Sequence, residues 1–536
     1  MKKMPSWLEK AVFYQIYPQS FYDSNGDGIG DLPGITQKLA YIQSVGFNAI
    51  WLNPCFDSPF ADAGYDVADY YRVAPRYGTN DDLVDLFNAA HDRGMHVILD
   101  LVPGHTSLEN AWFKASCKHE RNEYTDWFIW TNSVWTPPLP NLQNVRGYAE
   151  RDGAYVVNFF YSQPALNYGF ALPDPAYPWQ QPTDAPGPQR VRQEIKNIMK
   201  YWIDLGADGF RVDMAASLVK NDPDKRATSA VWQELRAWLD DYAPEAMLVS
   251  EWGYPLQALP AGFHADFTLG WTMPGFTSLF RKDRAHGRGA DPYGASYFDP
   301  SGRGNIMEFV DEYLKHYLAT RDLGFISLIS GNHDVTPRLA KGRTMPDLIM
   351  PFIFLYTMPG IPFTYYGDEI GMTGVEGLPS KEGGYQRTQV RTPMQWNGGP
   401  NAGFSTAPAE ALYLPVEQAF KQVNVENQVS DPNSLLNAVR RLIQIRLAHP
   451  CLCASGGFEV VHAAFGDPLF IYKRMHGEEA ILVALNPAAR PTETRLPEGM
   501  LKSIPAVLFG ADGVFRQDGA GWKVQMPAQS GGIYQV

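Results

Sequence analysis

Eight short apolar runs, separated by long amphipathic stretches, constrain this 536-residue chain more than any other feature. The runs are AVFYQIYP (11–18), AIWLNP (49–54), HVILDLV (96–102), GFRVDMA (209–215), AMLVSEWG (246–253), ADFTLG (265–270), FISLISGNHD (325–334) and IPFTYYGDE (361–369). ADFTLG is the weakest of them. Between them lie stretches such as DDLVDLFNAAHDRG (81–94) and VRQEIKNIMKYWIDLG (191–206). In the second, Ile195, Ile198, Met199 and Trp202 recur at helical spacing, and Gly206 stands where a C-cap belongs. Strand–helix alternation implies parallel strands, and eight such units predict an α/β fold, the (β/α)8 TIM barrel.

Two stretches interrupt the alternation. Residues 104–187, rich in Pro, Asn, Trp and Tyr, read as a domain inserted after the third strand. They divide the barrel into 1–103 and 188–457. Residues 372–430, rich in Gly, Pro and Asn, read as a long excursion after the eighth strand. In 458–536 the segments FEVVHAA, LFIYKRM, AILVALN, AVLFG and GGIYQV are short strands spaced by turn residues. They predict a C-terminal antiparallel β-sandwich.

Charge and composition exclude several partners. The formal net charge of −13 argues against nucleic acid and anionic membranes. No apolar run of about 18 residues is available to cross a bilayer. The start, MKKMPSWLEK, has no apolar core and no small-residue cleavage site, so a cytoplasmic location is expected. Four cysteines without a CxxC pair argue against a disulfide framework or a zinc site. No organic cofactor motif is expected.

In such a barrel, polar residues at strand C-terminal ends face the catalytic mouth. Here they are Asp100 and His105, Arg211 and Asp213, Glu251, and Asn332, His333 and Asp334. A lone carboxylate is usually a cap or a surface ion pair. Four at successive strand ends, with His and Arg among them, point to one pocket. Arg211 lies two residues before Asp213, on the same strand face, and supplies the cation that keeps it ionised. Paired carboxylates across a scissile bond are what glycoside hydrolysis needs.

The segment DSNGDGIGD (23–31) carries a second signal. Side-chain oxygens of Asp23, Asn25, Asp27 and Asp31, with the Ile29 carbonyl, alternate around a glycine-rich loop. That is a hard-oxygen donor set suited to one structural Ca2+, or Mg2+, without the terminal Glu of an EF-hand. The alternative is an Asx-rich turn with no ion.

At DLVPGH (100–105), GFRVDMA (209–215), SEWG (250–253) and GNHD (331–334) the chain resembles glycoside hydrolase family 13, the α-amylase superfamily. GYDVADY (64–70), QPALN (163–167) and RTPMQW (391–396) match its oligo-1,6-glucosidase and α-glucosidase branch. The resemblance runs from YQIYPQSFYDSNGDGIGDL (14–32) onward. It implies that Asp213 is the nucleophile, Glu251 the general acid/base and Asp334 the stabiliser of the distorted sugar. It implies substrate contacts for Tyr65, His105, Gln163, Arg211 and His333, and an Asp62–Arg391 ion pair closing the pocket behind the non-reducing end. The branch carries calcium, sometimes magnesium, at the 23–31 loop.

Four departures qualify the resemblance, one of them being Trp252 and Gly253 after the acid/base, where many relatives have another pattern. Gly104 replaces an Asn that ligates calcium in α-amylases, so that second site is expected to be missing. Ala165 replaces the Asp of QPDLN. Met214 follows the nucleophile where α-1,6-selective enzymes tend to have Val, which favours α-1,4 linkages. The expected function is a retaining, exo-acting α-glucosidase on small oligosaccharides. The rival within the same chemistry is a glucosyl transferase or isomerase, such as trehalose synthase or sucrose isomerase. A non-catalytic carbohydrate-binding barrel is disfavoured by the intact Asp213, Glu251 and Asp334.

Overall fold

The computed structural model describes residues 4–136, 139, 142–281, 296–519 and 521–536. The two N-terminal lysines of the sequence reading lie outside these residues. All eight expected runs are barrel strands: β1 (Phe13–Ile16), β2 (Ala49–Leu52), β3 (His96–Leu101), β4 (Gly209–Val212), β5 (Met247–Ser250), β6 (Ala265–Phe267), β7 (Phe325–Ile329) and β8 (Pro362–Tyr365). They close in the order β1-β8-β7-β6-β5-β4-β3-β2, every pair parallel. Aromatic side chains fill the interior. Trp51 of β2 stacks on Phe267 of β6 at 5.3 Å, although these strands are not neighbours, so the contact spans the barrel.

The outer helices cover the strands with apolar faces. In helix Pro186–Asp204, Ile195, Ile198, Met199 and Trp202 are buried. The chain leaves it through Gly206, whose φ of +119° is open to glycine but strained for other residues. Helices Asn80–His91 and Met345–Thr357 begin with Thr capping boxes closed by Asp82 and Asp347.

The chain between β3 and β4 forms the short helix Ala111–Ser116 and the hairpin Gln143–Arg146 with Ala154–Val157. It has a small core of its own, built of Ile129, Val156, Ala165 and Phe170. Residues 372–430 are mostly short 3-10 turns that fold back over the barrel mouth. They are tied there by Trp396 Nε1 donating to the Phe21 carbonyl at 2.9 Å and Ser20 Oγ to that of Arg391 at 2.6 Å.

The C-terminal strands are β9 (Gly457–His462), β10 (Phe470–His476), β11 (Glu479–Asn486), β12 (Thr492–Leu496), β13 (Ala506–Gly510), β14 (Val514–Asp518), β15 (Gly521–Met526) and β16 (Ser530–Gln535). They make two antiparallel sheets, β9-β10-β11-β16-β13 and β12-β15-β14. Leu469, Ile471, Leu482, Val524 and Met526 share the core between them. All four cysteines are free thiols. Among the described residues no helix is long and apolar enough to cross a membrane.

Candidate active site

The ends of β3, β4 and β5 assemble the charged centre. Asp100 and Arg211 are register partners on adjacent parallel strands, so their side chains project together. Arg211 is 1% exposed. Its Nη1 donates to Asp100 Oδ1 at 2.7 Å and Asp213 Oδ1 at 3.0 Å, and its Nη2 lies 2.9 Å from Glu251 Oε1. One buried guanidinium thus serves three carboxylates, a cluster tolerable in a low-dielectric interior only with such a partner. Asp100 is fixed from behind by Trp51 Nε1, which donates to its Oδ2 at 2.8 Å.

Burial pushes Asp213 up to about 6 against the pull of Arg211 and of a hydrogen bond with Glu251. Burial pushes Glu251 further, to about 7, with the Asp213 and Asp334 charges adding to it against Arg211. The surroundings thus favour a proton on Glu251 over one on Asp213. The Met214 amide donates to Glu251 Oε2 at 3.1 Å, and Met214 adopts φ +43°. A non-glycine residue in that left-handed region is strained, and the strain sits directly after Asp213.

Asp334 follows β7. Arg391 Nη2 and Arg387 Nη1 both donate to its Oδ1, at 2.8 and 2.9 Å, and His333 Nε2 lies 3.2 Å from its Oδ2. Burial opposes its charge, yet His333, Arg387 and Arg391 hold it well below the usual carboxylate range. His333 Nδ1 faces two amide donors, Gln15 Nε2 at 3.1 Å and Asn53 Nδ2 at 3.2 Å. That assigns the ring proton to Nε2, which faces Tyr65 Oη at 2.8 Å and Asp334.

A cavity of about 550 Å³ opens over this centre. Asp62, Tyr65, His105, Asp213, Met214, Glu251 and Asp334 line it, together with Phe159, Trp252, Trp271, Lys225 and Arg387. Phe159 and Trp271 are about half exposed, offering flat apolar faces at the entrance.

Several expected contacts are arranged differently. Arg391 spends its donors on the His333 carbonyl at 2.9 Å and on Asp334, not on Asp62. Asp62 instead faces Arg387 at 3.6 Å and accepts from Gln163 Nε2 at 2.7 Å. The Asp62–Arg391 pair is therefore corrected to Asp62–Arg387, with Arg387 bridging Asp62 and Asp334. Gln163 is wholly buried and supports Asp62 rather than lining the cavity. His105 lines the cavity, but its Nε2 lies 3.1 Å from the Tyr65 carbonyl and its Nδ1 3.3 Å from Asn158 Nδ2. Burial pushes it down to about 3, so the ring is neutral.

Sequence reasoning also missed Asn158 and Lys220. A Cβ at Gly104 would lie 2.6 Å from Asn158 Nδ2. Asn158 therefore occupies the space left by the missing side chain. It donates to Ser217 Oγ at 3.0 Å and accepts from Lys220 Nζ at 2.8 Å, tying the inserted segment to the loop after Asp213.

In the 23–31 loop, Asp23 accepts from the amides of Gly26 at 2.7 Å and Gly28 at 2.8 Å, and Asn25 and Asp27 accept from Asp27 and Ile29. Asp31 caps helix Leu32–Val45 through Gly34 and also accepts from Ser24. The donor chemistry fits a hard cation. Yet among the described residues no three His, Cys, Asp or Glu side chains are gathered as a metal would hold them.

With this geometry in view, comparisons with known proteins agree on a family. The model for the alpha amylase catalytic domain matches residues 15–455. The trehalose synthase/amylase TreS of Mycolicibacterium smegmatis is 32% identical over 83% of this chain and 77% of its own. An oligo-1,6-glucosidase of Heyndrickxia coagulans is 31% identical over 90% of this chain and 92% of its own. Among solved structures, a variant of the trehalulose synthase MutB, in complex with Tris, aligns at TM-score 0.80 and 26% identity over 99% of both chains. Glucosidases and transglycosylases thus both stand among the relatives, and the chain is an enzyme acting on glycosides. By the extent of the match and the barrel that carries it, the chain belongs to the alpha-amylase family.

Proposed function

We propose that this enzyme is a retaining, exo-acting α-glucosidase that removes single glucosyl units from the non-reducing end of short gluco-oligosaccharides, preferring α-1,4 links. The observation that carries the reading is that the one buried guanidinium of Arg211 reaches both Asp213, at 3.0 Å, and Glu251, at 2.9 Å. Two carboxyl groups bridged by one guanidinium stand near each other, which favours the closely spaced retaining arrangement over the wider inverting one.

In the first step an Asp213 oxygen bonds to the anomeric carbon. The bond to the leaving oxygen breaks, and Glu251 gives that oxygen its proton. In the second, Glu251 takes a proton from water, whose oxygen displaces Asp213 from the anomeric carbon. Asp334, kept ionised by two arginines, holds sugar hydroxyls and balances the developing positive charge. Tyr65 packs against the bound ring. Asp62 and Arg387 close the far end of the pocket, which restricts binding to a chain terminus. Met214, lining the cavity beside Asp213, supports the α-1,4 preference.

A product panel of maltose, maltotriose, isomaltose, trehalose, sucrose and maltoheptaose tests this. Early glucose from maltotriose and maltoheptaose is expected, with maltose cleaved faster than isomaltose. Internal cleavage of maltoheptaose without early glucose overturns the exo reading. The likeness to TreS and MutB favours one second reading, in which another sugar hydroxyl replaces water in the second step. It would show as trehalose formed from maltose, or as a sucrose isomer, in place of free glucose. We also propose one structural Ca2+ or Mg2+ at the 23–31 loop, on its donor chemistry alone; no catalytic step passes through it.

A further inference from the structure

We infer that Asp266 is a positioning residue for the acid/base, its carboxylate pinning the turn that carries Glu251. The inference rests on the reading of Glu251 given above. Asp266 lies on β6, fully buried, as the register partner of Ser250 on β5. Its Oδ1 accepts from Ser250 Oγ at 2.6 Å, from the Trp252 amide at 3.2 Å and from the Gly253 amide at 3.1 Å. The two successive amides after Glu251 therefore converge on one side chain from the next strand.

The turn is built for that convergence. Gly253 has φ +74°, and a Cβ there would sit 2.5 Å from Thr272 Oγ1. On the other side of Glu251, its own amide donates to the Val212 carbonyl at 2.9 Å. The backbone is thus held on both flanks, by β4 before and by Asp266 after. Asp266 Oδ2 is buried with no hydrogen-bond partner in the described structure. Among the described residues no cation is paired with it, and burial pushes the group up to about 7. Such a costly buried group is ordinarily avoided unless its bonds are needed. Here they fix a residue that must act twice, as acid and then as base, at the same bond. A general acid contributes only when held within hydrogen-bond reach of its oxygen.

The test compares kcat/KM on maltose, whose sugar leaving group needs a proton, with kcat/KM on α-glucosyl fluoride, whose leaving group does not. Asp266→Ala is expected to lose at least about tenfold on maltose and less than about threefold on the fluoride. Asp266→Asn, which keeps the Oδ1 acceptor, should stay within about threefold of the unmodified enzyme on both. Asp266→Glu, which keeps the charge but shifts the carboxylate by one methylene, carries the same expectation as alanine if the alanine variant does not fold. Equal losses on both substrates, or no loss on either, overturn the inference. Glu251→Gln provides the reference. If it shows no selectivity for the poor leaving group, the acid/base reading itself fails, which is a separate result.

Discussion

At the residue scale, the centre depends on how one guanidinium divides its charge. Arg211 lowers the cost of ionising Asp213, while burial keeps the proton on Glu251. The pair predicts a narrow bell for kcat/KM. Below about 6, Asp213 takes up a proton and the nucleophile is lost; above about 7, Glu251 gives up its proton and the acid is lost. The two limbs belong to the pair jointly. Rates measured across pH 4–9 check this, and a flat profile through pH 8.5 contradicts it. Asp213→Ala should lower kcat at least about 10⁴-fold, and substantial residual turnover would remove it from its role. Gly104→Asn is a sharper probe. It places the amylase-type side chain where Asn158 already stands, so it is expected to displace Asn158 and reduce activity without creating a calcium site. Improved activity, or a newly bound calcium ion, would contradict that packing argument. The gathering of Asp213, Glu251 and Arg211 was legible because each stands at the end of an apolar run. Arg387 was not, because it lies in the irregular excursion, where charge carries no periodicity to betray its direction. Arg391, inside a motif, was legible as a residue but not in its choice of partner.

At the scale of elements, what could be read depended on apolar density. All eight barrel strands stand out because parallel strands are buried on both faces and read as continuous apolar runs. In the C-terminal region the five expected segments all fall in the sheet packed against the barrel side. The strands of the second sheet, TETRL, VFRQD and GWKVQM, are only five or six residues long and partly exposed, and of the three only GWKVQM alternates polar with apolar. Their signal is that of any polar turn-rich stretch. In the 23–31 loop both the oxygen donors and an Asx-rich turn were legible, but not which amides the Asx side chains accept from. The proposed cation should raise the melting temperature by several degrees on adding millimolar CaCl2 to chelator-treated protein. Calorimetric titration should give one site. No binding and an unchanged melt would leave the loop as a self-closed turn.

At the scale of the whole molecule, three parts of the chain meet at one pocket. The barrel supplies the carboxylates, the inserted segment supplies Asn158 and Phe159, and the excursion supplies Arg387 and Arg391. Arg387 joins Asp62 to Asp334, and in the proposed function this link closes the pocket behind the sugar. Arg387→Ala should weaken KM for maltose by about tenfold, allowing for partial exposure of the pair, and should admit cleavage away from the chain end. Unaltered KM and product pattern would place the closure elsewhere. The central claim is that Asp213 forms a covalent glucosyl intermediate in this pocket. The most direct measurement is mass spectrometry of the enzyme trapped with 5-fluoro-α-D-glucosyl fluoride, followed by peptide mapping. The account predicts one fluoroglucosyl adduct per chain, on the peptide carrying Asp213. No adduct under turnover conditions, or an adduct on another carboxylate, would contradict it.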